Sequence, residues 1–123
     1  EIDPWACQDL KSNASAFRGR GVVHVAEMSG AQALKRCSRR GAVDAVVFDA
    51  PRIGDAEGAE CVAMVKPRRV VVLGCDPSTF ARDLKIMGLG TQYRLTRLGV
   101  WDAFPGTHHS ESIAVLELAK SWV

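Results

Sequence analysis

A chain of 123 residues has the size of one compact domain, or part of one, and can bury a core without a disulfide or metal staple. With 47% hydrophobic and 24% charged residues and a mean hydropathy near zero, intrinsic disorder and collagen-like repetition are excluded, and the longest apolar run, Val70 to Cys75, is far short of the roughly 20 residues of a membrane span. The balance of 16 Lys and Arg against 14 Asp and Glu leaves +2, too little for net charge to announce nucleic-acid binding, although the basic side is 11 Arg to 5 Lys and Arg is the better donor to phosphate.

In chain order, Asp3 as N-cap and Pro4 in the first turn open a predicted helix to about Phe17, which Gly19-Arg20-Gly21 breaks. Val22 to Glu27 (VVHVAE) reads as a strand, and Ser29 caps a helix through about Arg40, closed by Gly41. Val43 to Asp49 is a buried-type strand, residues 50–54 form a turn, and 56–65 a short helix stopped by Lys66-Pro67. Arg69 to Gly74 is a further strand, and Pro77 to about Met87 a helix ended by Gly88 and Gly90. Tyr93 to Trp101 and Ser112 to Ala119 are strands separated by the loop from Asp102 to Glu111.

Continuous Val, Ile and Leu runs alternating with helices predict an open α/β sheet, mostly parallel and covered on both faces. The last two strands have no helix between them and are expected to pair antiparallel at one edge. No charged-then-apolar leader opens the chain, and no cysteine pair is spaced as CxxC. The expected protein is therefore cytoplasmic, with reduced thiols and no membrane contact. The missing initiator methionine and the immediate entry into structure suggest a piece of something longer.

Ligands of open α/β sheets sit beyond the carboxyl ends of the strands. Four such exits stand out: Glu27-Met28; Asp49-Ala50-Pro51-Arg52; Cys75-Asp76-Pro77-Ser78-Thr79, which sets a sulfur beside the positive end of a helix dipole; and Phe104 to Glu111, with His108, His109 and an acid. Each has a bland reading. Cys75 alone is more often a small buried hydrophobe than a nucleophile, and Cys7, Cys37 and Cys61 read as helical fillers. Asp49 serves equally as a cap of the turn before Gly54, with Arg52 as its solvated partner. Adjacent histidines diverge and no third ligand has metal spacing, so His108 and His109 read as hydrogen-bonding residues and His24 as a residue on a strand face.

Three blocks shift these odds: Phe48-Asp49-Ala50-Pro51-Arg52-Ile53-Gly54, Gly74-Cys75-Asp76-Pro77-Ser78-Thr79-Phe80-Ala81-Arg82-Asp83-Leu84, and Asp102 to Glu111 (DAFPGTHHSE). In order and spacing they resemble DPPRxG, SCNPxTLARDL and DMFPxTxHxE of the RNA uracil-5 methyltransferases. Glu1-Ile2-Asp3 with the helix after it also resembles that family's acid-bearing strand end, so the likeness spans nearly the whole chain.

The resemblance implies a Rossmann-like class I methyltransferase sheet, of which residues 1–123 are the C-terminal part, the first strand and glycine-rich loop lying before Glu1 with any RNA-binding or iron–sulfur segment. It implies S-adenosylmethionine as cofactor, RNA (transfer or ribosomal) as substrate, and the N-terminal part of the same protein as partner, without which cofactor binding is weak. Cys75 is then the nucleophile at uracil C6 and Glu111 the base for the C5 proton. Glu1 and Asp49 are cofactor-contacting acids, and Arg52 lies close to the substrate.

The chain departs from the pattern at several places. Ala50 replaces a proline, Gly74 a serine and Asp76 an asparagine, and Asp76 adds a negative charge beside Cys75. These motivate an alternative, a catalytically impaired relative that binds RNA. A third reading, a cysteine hydrolase using Cys75 with His108 or His109, lacks an obvious oxyanion hole.

Overall fold

The computed structural model describes residues 1–16, 19, 21–107 and 109–119, so the expectations for Phe17 and His108 lie outside the described residues. Helix starts follow local capping chemistry. Helix α1 (Pro4–Ala16) follows Asp3, whose Oδ1 accepts the Trp5 and Ala6 N–H groups at 2.8 and 2.9 Å. Helix α2 (Gly30–Ser38) starts from Ser29, which forms a capping box with Gln32. Strand β1 (Ala45–Asp49) leads to α3 (Ala56–Val65), capped by Asp55 through the Gly58 N–H at 2.8 Å. Lys66 ends α3 in the left-handed region (φ 54°), a stop that suits the following Pro67, which disfavours a right-handed helical residue before it. Strand β2 (Arg69–Gly74), helix α4 (Pro77–Ile86) and strands β3 (Tyr93–Trp101) and β4 (Glu111–Leu118) complete the order.

The sheet runs β1-β2-β4-β3, with β1 and β2 parallel and β4 antiparallel to both of its neighbours. Alternation sorts its faces. Val70, Val72 and Gly74 of β2 pair with Leu116, Ala114 and Ser112 of β4, and all six are buried. Val70, Val72, Ala114 and Leu116 join a core with Ala59 and Val62 of α3 and Phe80, Leu84 and Met87 from α4 and its end. A buried aliphatic or aromatic side chain contributes about 1.5–3 kcal/mol, so this one-sided layer holds the fold.

Tyr93 anchors one end of the core, its hydroxyl donating to the Pro67 carbonyl at 2.9 Å, and burial pushes its pKa up to about 12. Its folded value lies above the ordinary 10, so its contribution is complete below pH 10 and is lost as pH rises toward 12. Tyr93→Phe leaves a buried carbonyl unpaired and is expected to cost about 1–3 kcal/mol in urea unfolding at neutral pH. The cost should shrink above pH 10.

The structure corrects three expectations. Val22 to Glu27 forms no strand: residues 22–26 run without ladder pairing, and Val22 is 81% exposed. Strand identity comes from a paired neighbour as well as from β-branched composition, and this segment's bonds run instead to the chain start, Met28 N–H to Glu1 O at 2.9 Å. His24 is accordingly exposed, not set on a strand face. Parallel pairing thus supplies one ladder of three, less than expected, and the sheet is partial. Finally, helices α3 and α4 cover one face, while the other leaves Val47 of β1 74% exposed, so covering on both faces is not seen among the described residues. No helix among the described residues is long and apolar enough to cross a membrane.

Candidate active site

Cys75 follows the last residue of β2 at its carboxyl end and is half-buried. The last β2–β4 pair is Gly74 with Ser112, so Cys75, which follows Gly74, and Glu111, which precedes Ser112, both adjoin that pair. Glu111 is the first residue of β4, not the end of a loop, and it pairs on its other side with Trp101. The two residues expected to act together therefore lie at the same end of the sheet, each next to a paired residue. Asp49 ends β1 two positions short of that row, paired with Leu73, and is exposed.

Between β1 and α3, residues 50–54 turn beside the start of α4. The turn is closed by backbone, Gly54 N–H to Pro51 O at 2.7 Å, and Gly54 takes φ 74°, a conformation that favours glycine. Thr79 Oγ1 donates to Arg52 O at 2.9 Å, and Arg82 Nη2 donates to Ile53 O at 3.0 Å. Asp83, only 1% exposed, accepts from Arg82 Nε and Nη2 on Oδ1 (3.0 and 2.8 Å) and from the Asp55 N–H on Oδ2 (2.8 Å). These three side chains were not singled out in the sequence.

The departures around Cys75 have local explanations. Asp76 is the N-cap of α4, its Oδ1 accepting the Thr79 N–H at 2.9 Å, and aspartate and asparagine cap about equally well. That bond holds the Asp76 carboxyl below its ordinary range, with the Thr79 hydroxyl, the Ser78 N–H and the Arg52 guanidinium adding to it, so Arg52 stands near this carboxylate. Gly74 is buried, and a Cβ there would come within 2.8 Å of Phe80 Cδ2 and 3.2 Å of Phe80 Cβ. The family pattern has Ser and Leu at these two positions; here a smaller residue faces a larger one. Gly74→Ser alone should overpack the site and lower unfolding free energy by about 1–3 kcal/mol, and adding Phe80→Leu should recover most of it. Additive losses in urea titrations of the single and double variants would contradict this compensation.

Glu1 turns its carboxylate back on its own chain, Oε1 accepting the Ile2 and Asp3 N–H groups at 2.7 and 2.8 Å, which hold it below the ordinary range, Asp3 most strongly. Its carbonyl also accepts from Cys7 Sγ at 3.4 Å. His109 is half-buried, with its N–H donating to Thr107 Oγ1 at 3.2 Å. No group of three or more His, Cys, Asp and Glu among the described residues is placed to hold a metal. Cys7 and Cys61 are buried in helices and Cys37 is exposed on α2, as fillers should be.

A cysteine and an acid at one end of an α/β sheet with an antiparallel final strand pair are compatible with a methyltransferase-type domain, and comparison with known proteins identifies one. The profile of the family described as tRNA (Uracil-5-)-methyltransferase matches residues 33–119, and the chain belongs to that family. It is 39% identical over 121 residues to an "Uncharacterized RNA methyltransferase" of Aquifex aeolicus, covering 96% of this chain and 27% of that protein. It is 41% identical over 80 residues to the "23S rRNA (uracil(1939)-C(5))-methyltransferase RlmD" of Shewanella sp. (strain ANA-3), covering 65% of this chain and 18% of that protein. The crystal structure of Pyrococcus abyssi tRNA (uracil-54, C5)-methyltransferase in complex with S-adenosyl-L-homocysteine superposes with a TM-score of 0.67 at 27% identity, over 94% of this chain and 27% of that one. The chain thus spans about a quarter or less of each of these relatives.

Proposed function

We propose that this chain carries the reacting groups of an S-adenosylmethionine-dependent methyltransferase acting on uridine C5 in transfer or ribosomal RNA, as the C-terminal part of its catalytic domain. The observation that supports this reading is that Cys75 and Glu111 flank the last β2–β4 pair, Gly74 with Ser112, near the 50–54 turn.

Uracil C5 is a weak nucleophile, and the chemistry begins by changing that. Cys75 Sγ forms a bond to C6, and the electron pair of the C5=C6 bond moves onto C5 and its neighbouring carbonyl as an enolate. S-Adenosylmethionine, when bound, supplies the electrophilic methyl group that C5 takes up and leaves as S-adenosylhomocysteine. Glu111 accepts the proton from C5, the electron pair restores C5=C6, the C6–S bond breaks, and Cys75 departs as thiolate. Glu1 and Asp49 fit the cofactor by donor chemistry: an ionised carboxylate is an acceptor only, suited to nucleoside hydroxyl and amino donors, and two backbone N–H groups keep Glu1 ionised. Arg52 offers a cation to the RNA beside Cys75. A base in a folded RNA has to leave its stack to reach this row.

The alternative of an impaired relative drew on Gly74 and Asp76. Packing against Phe80 and capping of α4 give both residues structural roles, which favours the active reading. The reaction needs reduced Cys75, as in the cytoplasm. Its test is nucleoside analysis of RNA incubated with the intact protein and S-adenosylmethionine: 5-methyluridine is expected, and its absence across transfer and ribosomal transcripts, with cofactor binding intact, would favour the impaired relative.

A further inference from the structure

Arg52 and Cys75 leave different strands, and the β1–β2 ladder ends at Asp49–Leu73, so beyond it the turn after Asp49 is held against the turn before α4 by other contacts. That job falls to one face of α4. Thr79, Arg82 and Asp83 are spaced three and four apart and so project from the same side of the helix. Between them they engage two carbonyls of the turn, Arg52 O and Ile53 O, and the Asp55 N–H that follows it. Gly54 approaches so closely that a Cβ would lie 2.7 Å from Asp83 Oδ2 and overlap the Arg82 guanidinium. Asp83 lies within an otherwise apolar stripe, beside Phe80 and Leu84, where a buried acid persists only if its acceptors are filled. Both of its oxygens are filled, one by Arg82 and one by the turn.

We propose that Thr79 and Asp83, with Arg82, are positioning residues that brace the 50–54 turn on the first turns of α4, the helix that carries Cys75 at its entry, so that the Arg52 cation and the Cys75 sulfur are presented to RNA as one unit. The proposal rests on the reading of Cys75 and Arg52 given above.

Two variants of the intact protein separate bracing from folding. Thr79→Val keeps the N–H that Asp76 accepts and removes only the hydroxyl donor; Thr79→Ser restores it. Asp83→Asn keeps size and shape but offers an amide NH2 to Arg82 or to the Asp55 N–H, where a donor already stands. Small misplacements of reacting groups cost up to about a hundredfold in rate. Thr79→Val should lower kcat about tenfold and Asp83→Asn about tenfold to a hundredfold, with KM for S-adenosylmethionine changed less than about twofold and Thr79→Ser close to wild type. Amide exchange at Ile53–Asp55 should speed up in both. Unchanged kcat in folded Thr79→Val and Asp83→Asn proteins, or equal losses in Thr79→Val and Thr79→Ser, would overturn the proposal. Should the wild-type protein methylate no RNA, the functional reading falls and the brace is judged on exchange alone: faster exchange at 53–55 upholds it, and unchanged exchange removes it.

Discussion

Replacing Cys75 by alanine in the intact protein is expected to lower RNA methylation by about 10⁴-fold or more, because without the C6–S bond C5 never becomes nucleophilic. The substitution removes one half-buried sulfur at the end of β2 and leaves the Asp76 cap and the Gly74–Phe80 contact in place, so the variant should fold and keep its affinity for S-adenosylmethionine. Cys37, exposed on α2 and far in sequence from the row of reacting groups, is the control: Cys37→Ala should methylate as wild type does. Methylation by Cys75→Ala at more than a few per cent of the wild-type rate would assign the chemistry to another group.

Glu111→Gln has a different signature. Glutamine matches glutamate in shape and keeps the β4 ladder, pairing still with Trp101, but it accepts no proton. Addition and methyl uptake precede the step that needs the base, whereas release of Cys75 follows it. Turnover should therefore fall by about 10²–10⁴-fold while a protein–RNA species resistant to denaturation accumulates. A denaturing gel reads both. A Glu111→Gln protein that loses turnover without accumulating the adduct would move Glu111 from proton acceptor to an earlier role in binding.

The two substitutions differ in what the sequence already told. Cys75 was legible because the run RVVVLG ends in a cap-and-proline signal, Asp76-Pro77, that fixes both the strand end and the helix start; the structure keeps those boundaries at Gly74 and Pro77. That Glu111 enters the strand next to β2 was not legible, since the insertion of β4 between β2 and β3 is a tertiary choice with no local signature. The strand expected over Val22–Glu27 failed for the same reason. Its β-branched residues favour a strand, but a ladder needs a neighbour that composition does not specify. The brace from α4 joins residues 27 to 29 apart in sequence, beyond the reach of periodicity. One signal was present: an acid, Asp83, within the apolar stripe of Phe80 and Leu84, a position that calls for a buried partner.

Exposed Val47 shows where the described sheet stays open, and the relatives are about three and a half times as long as this chain, so the decisive measurement belongs to the intact protein. Incubated with S-adenosylmethionine and RNA carrying 5-fluorouridine at the target, it should be trapped, because fluorine at C5 cannot leave as a proton to Glu111 and the C6–S bond then persists. Intact mass and peptide mapping are expected to find one RNA adduct, on Cys75, that Cys75→Ala abolishes. An unmodified Cys75, in protein that binds the cofactor and the RNA, would contradict the covalent reading on which the account rests.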